Sequence, residues 1–337
     1  MKRIQLLLFF FSIIIASCNE KPAGGISFYY WKTNFSLSQY ELNTLGSNHA
    51  EKLYIRYFDI DKKPGETEAM PVAPVVLDSF AKKYNIVPVI FIKKRVFENV
   101  DSHHLPQLAK NVHSLIQQIS QSQEINNSEI QFDCDWTDKT KELYFSFLRE
   151  YRELSKKVIS ATIRLHQVKY FNRTGIPPVD KGVLMYYNMG EINAGTINSI
   201  YDKATAAKYN TSLAGYPLLL DIALPIFSWG QLLRDGKVVQ LLNKINDTHF
   251  NRDSNFIYNN NNQFLVKQSC FKAGYYFIKN DIVKLETIKQ ADLFNMADDI
   301  KKYSKKSFQH IIFYDLDSIN LSHYEMDIYQ KILDKLY

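Results

Sequence analysis

Apolar and polar positions along the chain fall into eight short runs with strand character, separated by stretches with helical spacing. The runs are Ile26–Trp31, Leu53–Phe58, Val87–Ile92, Glu129–Asp135, Val158–Leu165, Gly182–Tyr187, Leu218–Pro225 and His310–Asp315. They are rich in Val, Ile, Phe and Tyr, the residues that suit a pleated, half-buried surface. Between them the pattern predicts helices over Leu37–Leu45 (with Ser36 or Ser38 as N-cap), Leu105–Gln118, Asp138–Lys157 and Ser322–Leu336. In the third of these, Leu143, Phe147, Leu148, Tyr151 and Leu154 recur at the spacing of one helical face. Strand alternating with helix implies parallel strands, and eight such units predict a closed (β/α)8 TIM barrel over residues 26–337. An open doubly wound sheet is the alternative, weakened because no Gly-rich phosphate turn follows the first strand. Residues 245–290 break the rhythm with the tract Asn259–Asn262 and the strand-like pieces Phe264–Phe271 and Tyr275–Ile278. They predict a loop and hairpin inserted between strands seven and eight, either the rim of a cleft or a surface insertion.

The N-terminus changes the compartment. Met1-Lys2-Arg3 is a basic leader and Ile4–Ala16 an apolar run. As a helix that run spans roughly 20 Å, short of the roughly 30 Å of a hydrocarbon core. It fits a signal peptide over residues 1–17. Ile15-Ala16-Ser17-Cys18 resembles a bacterial lipoprotein processing site, which implies acylation of Cys18, a lipidated tether over residues 18–25 and a place in the bacterial cell envelope. Asn19 in the next position favours the outer membrane. An ordinary secretory signal beside an incidental cysteine is the plainer alternative.

Charge and cysteines narrow the classes. The formal net charge is +6 and loses the two leader cations on processing. No basic run with interleaved aromatics appears, which argues against nucleic acid as a partner. With Cys18 lipidated, Cys134 and Cys270 remain, open to a disulfide but without the spacing of a metal site. His103-His104 reads as a solvated pair in a loop. No cofactor or metal is called for, and no serine elbow or phosphate loop is present. The 22 Tyr and 22 Phe suit a thick core and equally a cleft in which rings stack on sugars.

The fourth run, IQFDCDWT, carries the candidate chemistry. Side chains alternate across a strand, so Phe132, Cys134 and Trp136 face one way and Asp133, Asp135 and Thr137 the other. In a barrel the polar set enters the lumen at the C-terminal mouth, where sites of this fold lie. Two adjacent carboxylates need cations or hydrogen bonds there. Arg56 on strand two and Arg164 and His166 at the end of strand five are the candidates. The same residues also suit a purely structural salt-bridge layer. Trp31, Trp229 and Tyr314 fall at predicted strand ends, placed for stacking on a sugar or for packing.

IQFDCDWT resembles the fourth-strand signature D-x-x-D-x-D-x-E of glycoside hydrolase family 18, the chitinase-like barrels. Met185-Tyr186-Tyr187-Asn188 is similar to that family's sixth-strand M-x-Y-D. Leu220–Phe227 resembles its seventh strand ending in a Pro and an aromatic, and Phe313-Tyr314-Asp315-Leu316-Asp317 its eighth, with Tyr314 in place of the usual Trp. A bacterial subgroup of such barrels with a Y-x-M-G ending to strand six is more similar still. The resemblance implies a glycan or oligosaccharide as partner and a substrate-assisted reaction in which the sugar's acetamido oxygen attacks the anomeric carbon. Asp135 would then hold the acetamido group, Asp133 would support it, Tyr187 would donate to it, and Asn188 would replace the neighbouring Asp.

The departures bear on activity. Ile130 takes the first acid's place, and Thr137 stands where the general acid belongs. A hydroxyl cannot replace that acid, so proton transfer would lose about 10²–10⁴-fold. Thr137 is instead expected to cap the helix starting at Asp138. Three functions follow: a lipid-anchored barrel that recognises a glycan with hydrolysis lost or altered, an active glycosidase, or a structural or interaction protein. The active enzyme would use Asp138, or would pair Asp133 and Asp135 with Asp221, Asp315 or Asp59 from another strand.

Overall fold

The computed structural model describes residues 24–337 apart from 64, 67, 99 and 305–307. The leader, Cys18 and the tether up to residue 23 lie outside the described residues.

All eight predicted runs are strands: β1 (Gly25–Tyr30), β2 (Lys52–Asp61), β3 (Asn85–Ile92), β4 (Glu129–Asp133), β5 (Val158–Arg164), β6 (Lys181–Met185), β7 (Leu220–Pro225) and β8 (His310–Tyr314). Each pairs in parallel with its chain neighbours, and β1 pairs with both β2 and β8, so the sheet closes into a ring. This is the (β/α)8 barrel that the alternation of elements implied. The short strand Met70–Val72 adds to the end of β2 in the antiparallel sense, outside the ring.

Helices cover the outside. Gln39–Ser47 starts at Ser38, which accepts from the Glu41 backbone N–H while the Glu41 side chain accepts from the Ser38 N–H, a reciprocal capping box. Leu105–Gln121, Lys141–Ser155 and Ile328–Leu336 are the other long predicted helices. The apolar face of β4 packs beneath Lys141–Ser155: Phe132 meets Phe147 and Tyr151 at ring-centroid distances of 5.3 and 4.7 Å. Trp136 stacks on Tyr144 at 5.5 Å.

The inward faces form layers. At the N-terminal end Glu129 accepts from Lys52 at 2.7 Å and pairs with Lys181 at 3.0 Å, and Lys181 reaches Asp221 at 2.8 Å. Burial pushes the Glu129 carboxyl up, but the two lysines outweigh it and hold it below the usual range. Asp221 is thereby committed to the floor, where it also accepts from the backbone N–H groups of Gln309 and His310 at 2.9 Å. Above it, Tyr29 donates to Gln131 at 2.7 Å. The salt-bridge layer lies at the bottom of the barrel, and the mouth is lined differently.

Between β7 and β8 the chain holds more strand than the hairpin expected. Lys237–Asn243, Trp229–Arg234, Ile282–Glu286, Gln263–Val266 and Phe256–Asn259 form an antiparallel sheet in that order. It has its own core of Leu232, Leu242, Phe250, Phe256, Phe264, Phe277 and Val283. Phe264–Phe271 is therefore not one strand: its first half joins this sheet, and Cys270–Lys272 pairs with Tyr275–Phe277 in a separate hairpin. The insertion starts well before residue 245 because Asp235-Gly236, at φ of 50° and 71°, turns the first two strands back on each other.

Candidate functional site

At the C-terminal mouth a cavity of about 420 Å³ opens. Its wall holds Asp133, Trp31, Tyr187, Asn188, Trp229 and Tyr314, six of the residues singled out in the sequence. It also holds Phe227, Lys244, Asp315 and Asn320. The rings interlock. Tyr187 stacks on Tyr314 at 5.6 Å, Tyr314 meets the edge of Trp31 at 5.5 Å, and Phe227 meets Trp229 at 5.4 Å. A box of six large rings, Tyr29 included, around two carboxyl groups is the main chemical feature of the mouth.

The two acids of β4 part company. Asp133 is buried in the wall and accepts from the Thr162 hydroxyl at 2.6 Å. Burial and the neighbouring Asp135 carboxylate push its pKa up to about 7, against the Thr162 bond and the Arg164 charge. Asp135 lies outside the cavity lining and is held by Arg164, whose Nη2 donates to Oδ2 at 2.6 Å while Nε donates to Oδ1. Arg56 is likewise engaged, donating from Nε to Asp59 at 2.6 Å. A bulge in β2 between Arg56 and Phe58 brings Asp59 round to the Arg56 side. Arg56 and Arg164 thus neutralise Asp59 and Asp135 and do not line the cavity.

His166 departs from its expected place. Strand β5 stops at Arg164, where the Gln167 side chain accepts from the Arg164 N–H at 2.8 Å and starts a short helix, Leu165–Lys169. His166 sits on that helix with its side chain exposed, away from the cavity lining. Thr137 also differs from expectation. The helix starts at Lys141 rather than Asp138, and Thr137 acts through its backbone: its N–H donates to Thr140 Oγ1 and its carbonyl accepts from Thr140 and Lys141. Its side chain is exposed. Asp138 is exposed beside Arg173 at 3.3 Å. Neither Thr137 nor Asp138 lines the cavity.

Of the acids offered on other strands, Asp221 is in the floor and Asp59 is paired with Arg56. Asp315 alone among them lines the cavity. It follows Tyr314 through a cis peptide bond, is 8% exposed and accepts from Asn320 Nδ2. Burial and the nearby Asp317 push its pKa up to about 6, against Lys244 and Lys32.

The insertion supplies the far wall. Trp229 donates from Nε1 to Glu286 at 2.7 Å, and Glu286 is paired with Lys284 at 2.8 Å, both charges almost fully buried. Ser199 donates to the same Glu286 carboxylate and Lys284 donates to the Ile197 carbonyl at 3.0 Å. The loop after β6 is thereby tied to the sheet that presents Trp229. Phe227, Lys244 and Asn320 escaped sequence reasoning; Phe227 had a signal, being the aromatic after Pro225 in the seventh-strand motif. Among the described residues no cluster of three or more His, Cys, Asp or Glu is placed to hold a metal. Cys134 is buried, Cys270 is half-buried, and both thiols are free. His103 and His104 are exposed in a single turn.

No protein-family model matches the sequence, and no curated protein matches it. Solved structures do resemble the fold. The spore cortex-lytic enzyme SleL of Bacillus cereus superposes with a TM-score of 0.53 at 14% identity, covering 93% of this chain and 74% of that one. A chitinase from Rhizomucor miehei gives 0.50 at 12% identity over 91% of this chain and 99% of its own. A family 18 chitinase from Cycas revoluta, solved in complex with (GlcNAc)4, gives 0.50 at 12% identity over 93% and 100%. The likeness is one of fold: the chain closes into the same kind of barrel as these enzymes.

Proposed function

We propose that this protein binds a glycan in the aromatic cavity at the barrel mouth and does not hydrolyse it by the substrate-assisted route. The observation that carries the reading is the wall itself, in which Trp31, Tyr187, Phe227, Trp229 and Tyr314 surround Asp133 and Asp315. Flat rings bury the apolar faces of pyranose units, and the buried polar groups between them fix orientation. The Cycas chitinase of the same architecture was solved with (GlcNAc)4, which supports an oligosaccharide of that size class. Against hydrolysis stands Thr137, whose exposed hydroxyl occupies the general-acid place of the family motif.

Acylation at Cys18 would tether the barrel to the envelope, and β1 begins at Gly25, a few residues later. Tritiated palmitate labelling of the wild type against Cys18→Ser tests that anchor.

One observation favours a second reading, hydrolysis by two carboxyl groups. Asp315 shares the cavity with Asp133, and burial keeps its carboxyl protonated to higher pH than usual, as a general acid requires. One experiment separates the readings. The full chain in detergent is titrated with N-acetylglucosamine tetramer by calorimetry, and product release is then followed with wild type and Asp133→Asn. Binding without product supports recognition alone. Product release abolished by the substitution supports the enzyme, and no binding of any oligosaccharide leaves a structural role.

A further inference from the structure

The cavity is rich in acceptors that have nothing to accept from. Asn320 is 1% exposed. Its Nδ2 donates to Asp315, which fixes the amide orientation because only the NH₂ can face a carboxylate. That leaves Asn320 Oδ1 buried without a hydrogen-bond partner. Asn188 Oδ1, on the same wall, is also buried without a partner. The Asp133 and Asp315 carboxyls face this space with no cation bonded to either among the described residues. A buried acceptor that can only accept calls for a donor from outside.

The cations around the site and several of its donors are engaged elsewhere. Thr162 donates to Asp133 itself, Ser228 to the Ile245 carbonyl at 3.1 Å, Trp229 to Glu286 and Tyr29 to Gln131. Arg164 is held by Asp135 and Arg56 by Asp59. Lys244, which does line the cavity, is paired with Asp317 at 2.6 Å, and Lys32 adds a second cation to that carboxylate at 3.2 Å. A sugar hydroxyl donates one hydrogen and carries no charge. An ammonium group donates three and is positive, which suits two carboxyls and two orphan carbonyl oxygens in a desolvated site.

We propose that the cavity takes an oligosaccharide bearing a free amino group, a hexosamine without its acetyl, with the ammonium seated against Asp315 and Asn320 Oδ1. This rests on the glycan reading above and names the sugar class. The raised pKa values of Asp133 and Asp315 agree with it: burial and a neighbouring carboxylate outweigh the more distant cations, none of which is bonded to either carboxyl, and a bound ammonium would draw their protons off.

The test titrates the full chain in detergent at pH 7 with glucosamine tetramer and, separately, with N-acetylglucosamine tetramer. The amine-bearing tetramer is expected to bind at least about tenfold more tightly. Asp315→Asn and Asn320→Leu, each checked for native circular dichroism, should each bring the ratio of the two affinities to within about threefold of one. Calorimetry in buffers of different ionisation enthalpy should show proton release for the amine-bearing ligand alone. An N-acetyl tetramer that binds as tightly as the amine, or a preference that survives both substitutions, overturns this inference and leaves the glycan reading standing. If neither tetramer binds, both fall.

Discussion

Arg164 grips Asp135 with two parallel hydrogen bonds, and this pairing decides which acid of β4 is left for a ligand. The two acids are two residues apart on one strand face, equivalent by periodicity. The planar guanidinium matches the carboxylate of one of them in a fork that a lysine cannot reproduce. Asp135 is thereby neutralised at the rim. Asp133 receives only a hydroxyl and stays an unpaired buried acid.

Removing the guanidinium should therefore act on both acids. Arg164→Gln leaves Asp135 without its counter-charge, and because the pair is partly open to solvent the expected cost is about 1–2 kcal/mol. Urea denaturation of the single variants and of Arg164→Gln with Asp135→Asn closes a double-mutant cycle. A coupling energy of about 1 kcal/mol is expected, and a coupling indistinguishable from zero would show that the fork contributes nothing to stability.

Asp133 gives the fold a pH dependence of unusual sign. Its pKa rises from the ordinary 3.8 to about 7 in the folded protein. The folded state thus binds more protons than the unfolded chain between these values, so this contribution is complete below pH 4 and is lost as pH climbs through 7. The groups acting on it are Asp135, Thr162, Arg164 and Asp59. Asp133→Asn removes the ionisation and keeps an oxygen for the Thr162 hydroxyl. The variant should match wild type near pH 4 and exceed it at pH 8 by on the order of 2–4 kcal/mol. A stability difference that does not change between those pH values would contradict this.

Local spacing and parity went far. The eight strands, their order around the ring and the inward set of β4 follow from alternation alone, because a strand buried under helices on one side and filling a lumen on the other shows both periodicities. Axial height follows from position in the strand: Asp221 is the second residue of β7 and lies in the floor with Lys181, whereas Asp315 comes just after the last residue of β8 and lies in the mouth. His166 was misplaced because parity was carried past the end of β5, where the Gln167 side chain starts a helix instead. The early start of the insertion was legible: Asp235-Gly236 between apolar runs is a hairpin signal in its own right. Lys244 and Asn320 were not, since they reach the cavity from the insertion and from the helix after β8 through tertiary packing.

Gly182 shows how tightly β6 is set between its neighbours. A Cβ there would lie 2.6 Å from Leu220 Cδ2 and 2.8 Å from Ile163 Cγ1, both inside contact distance. Both are branched side chains on the flanking strands β7 and β5, so relief needs rotamer changes on two sides. Gly182→Ala should cost about 1–3 kcal/mol, read as a lower urea midpoint at unchanged slope. An unchanged midpoint would mean that these two side chains repack freely.

Lys284 and Glu286 are buried to within 3% and 1% of full, and the pair holds the insertion sheet to the barrel as well as Trp229 to its place. Lys284 also donates to the Ile197 carbonyl in the loop after β6, and Ser199 of that loop donates to Glu286. Lys284→Met removes one charge and strands the other in a dry site, a change expected to cost about 3–5 kcal/mol. Lys284→Met with Glu286→Gln leaves no charge behind, and the glutamine can still accept from the Trp229 indole, so much of that loss should return. The readout is twofold. Thermal unfolding reports the stability, and tryptophan emission reports whether Trp229 keeps its buried hydrogen bond, with a red shift expected in the single variant and reversal in the double. If the single variant unfolds as wild type does and its emission is unmoved, the pair is not what fixes this wall of the cavity.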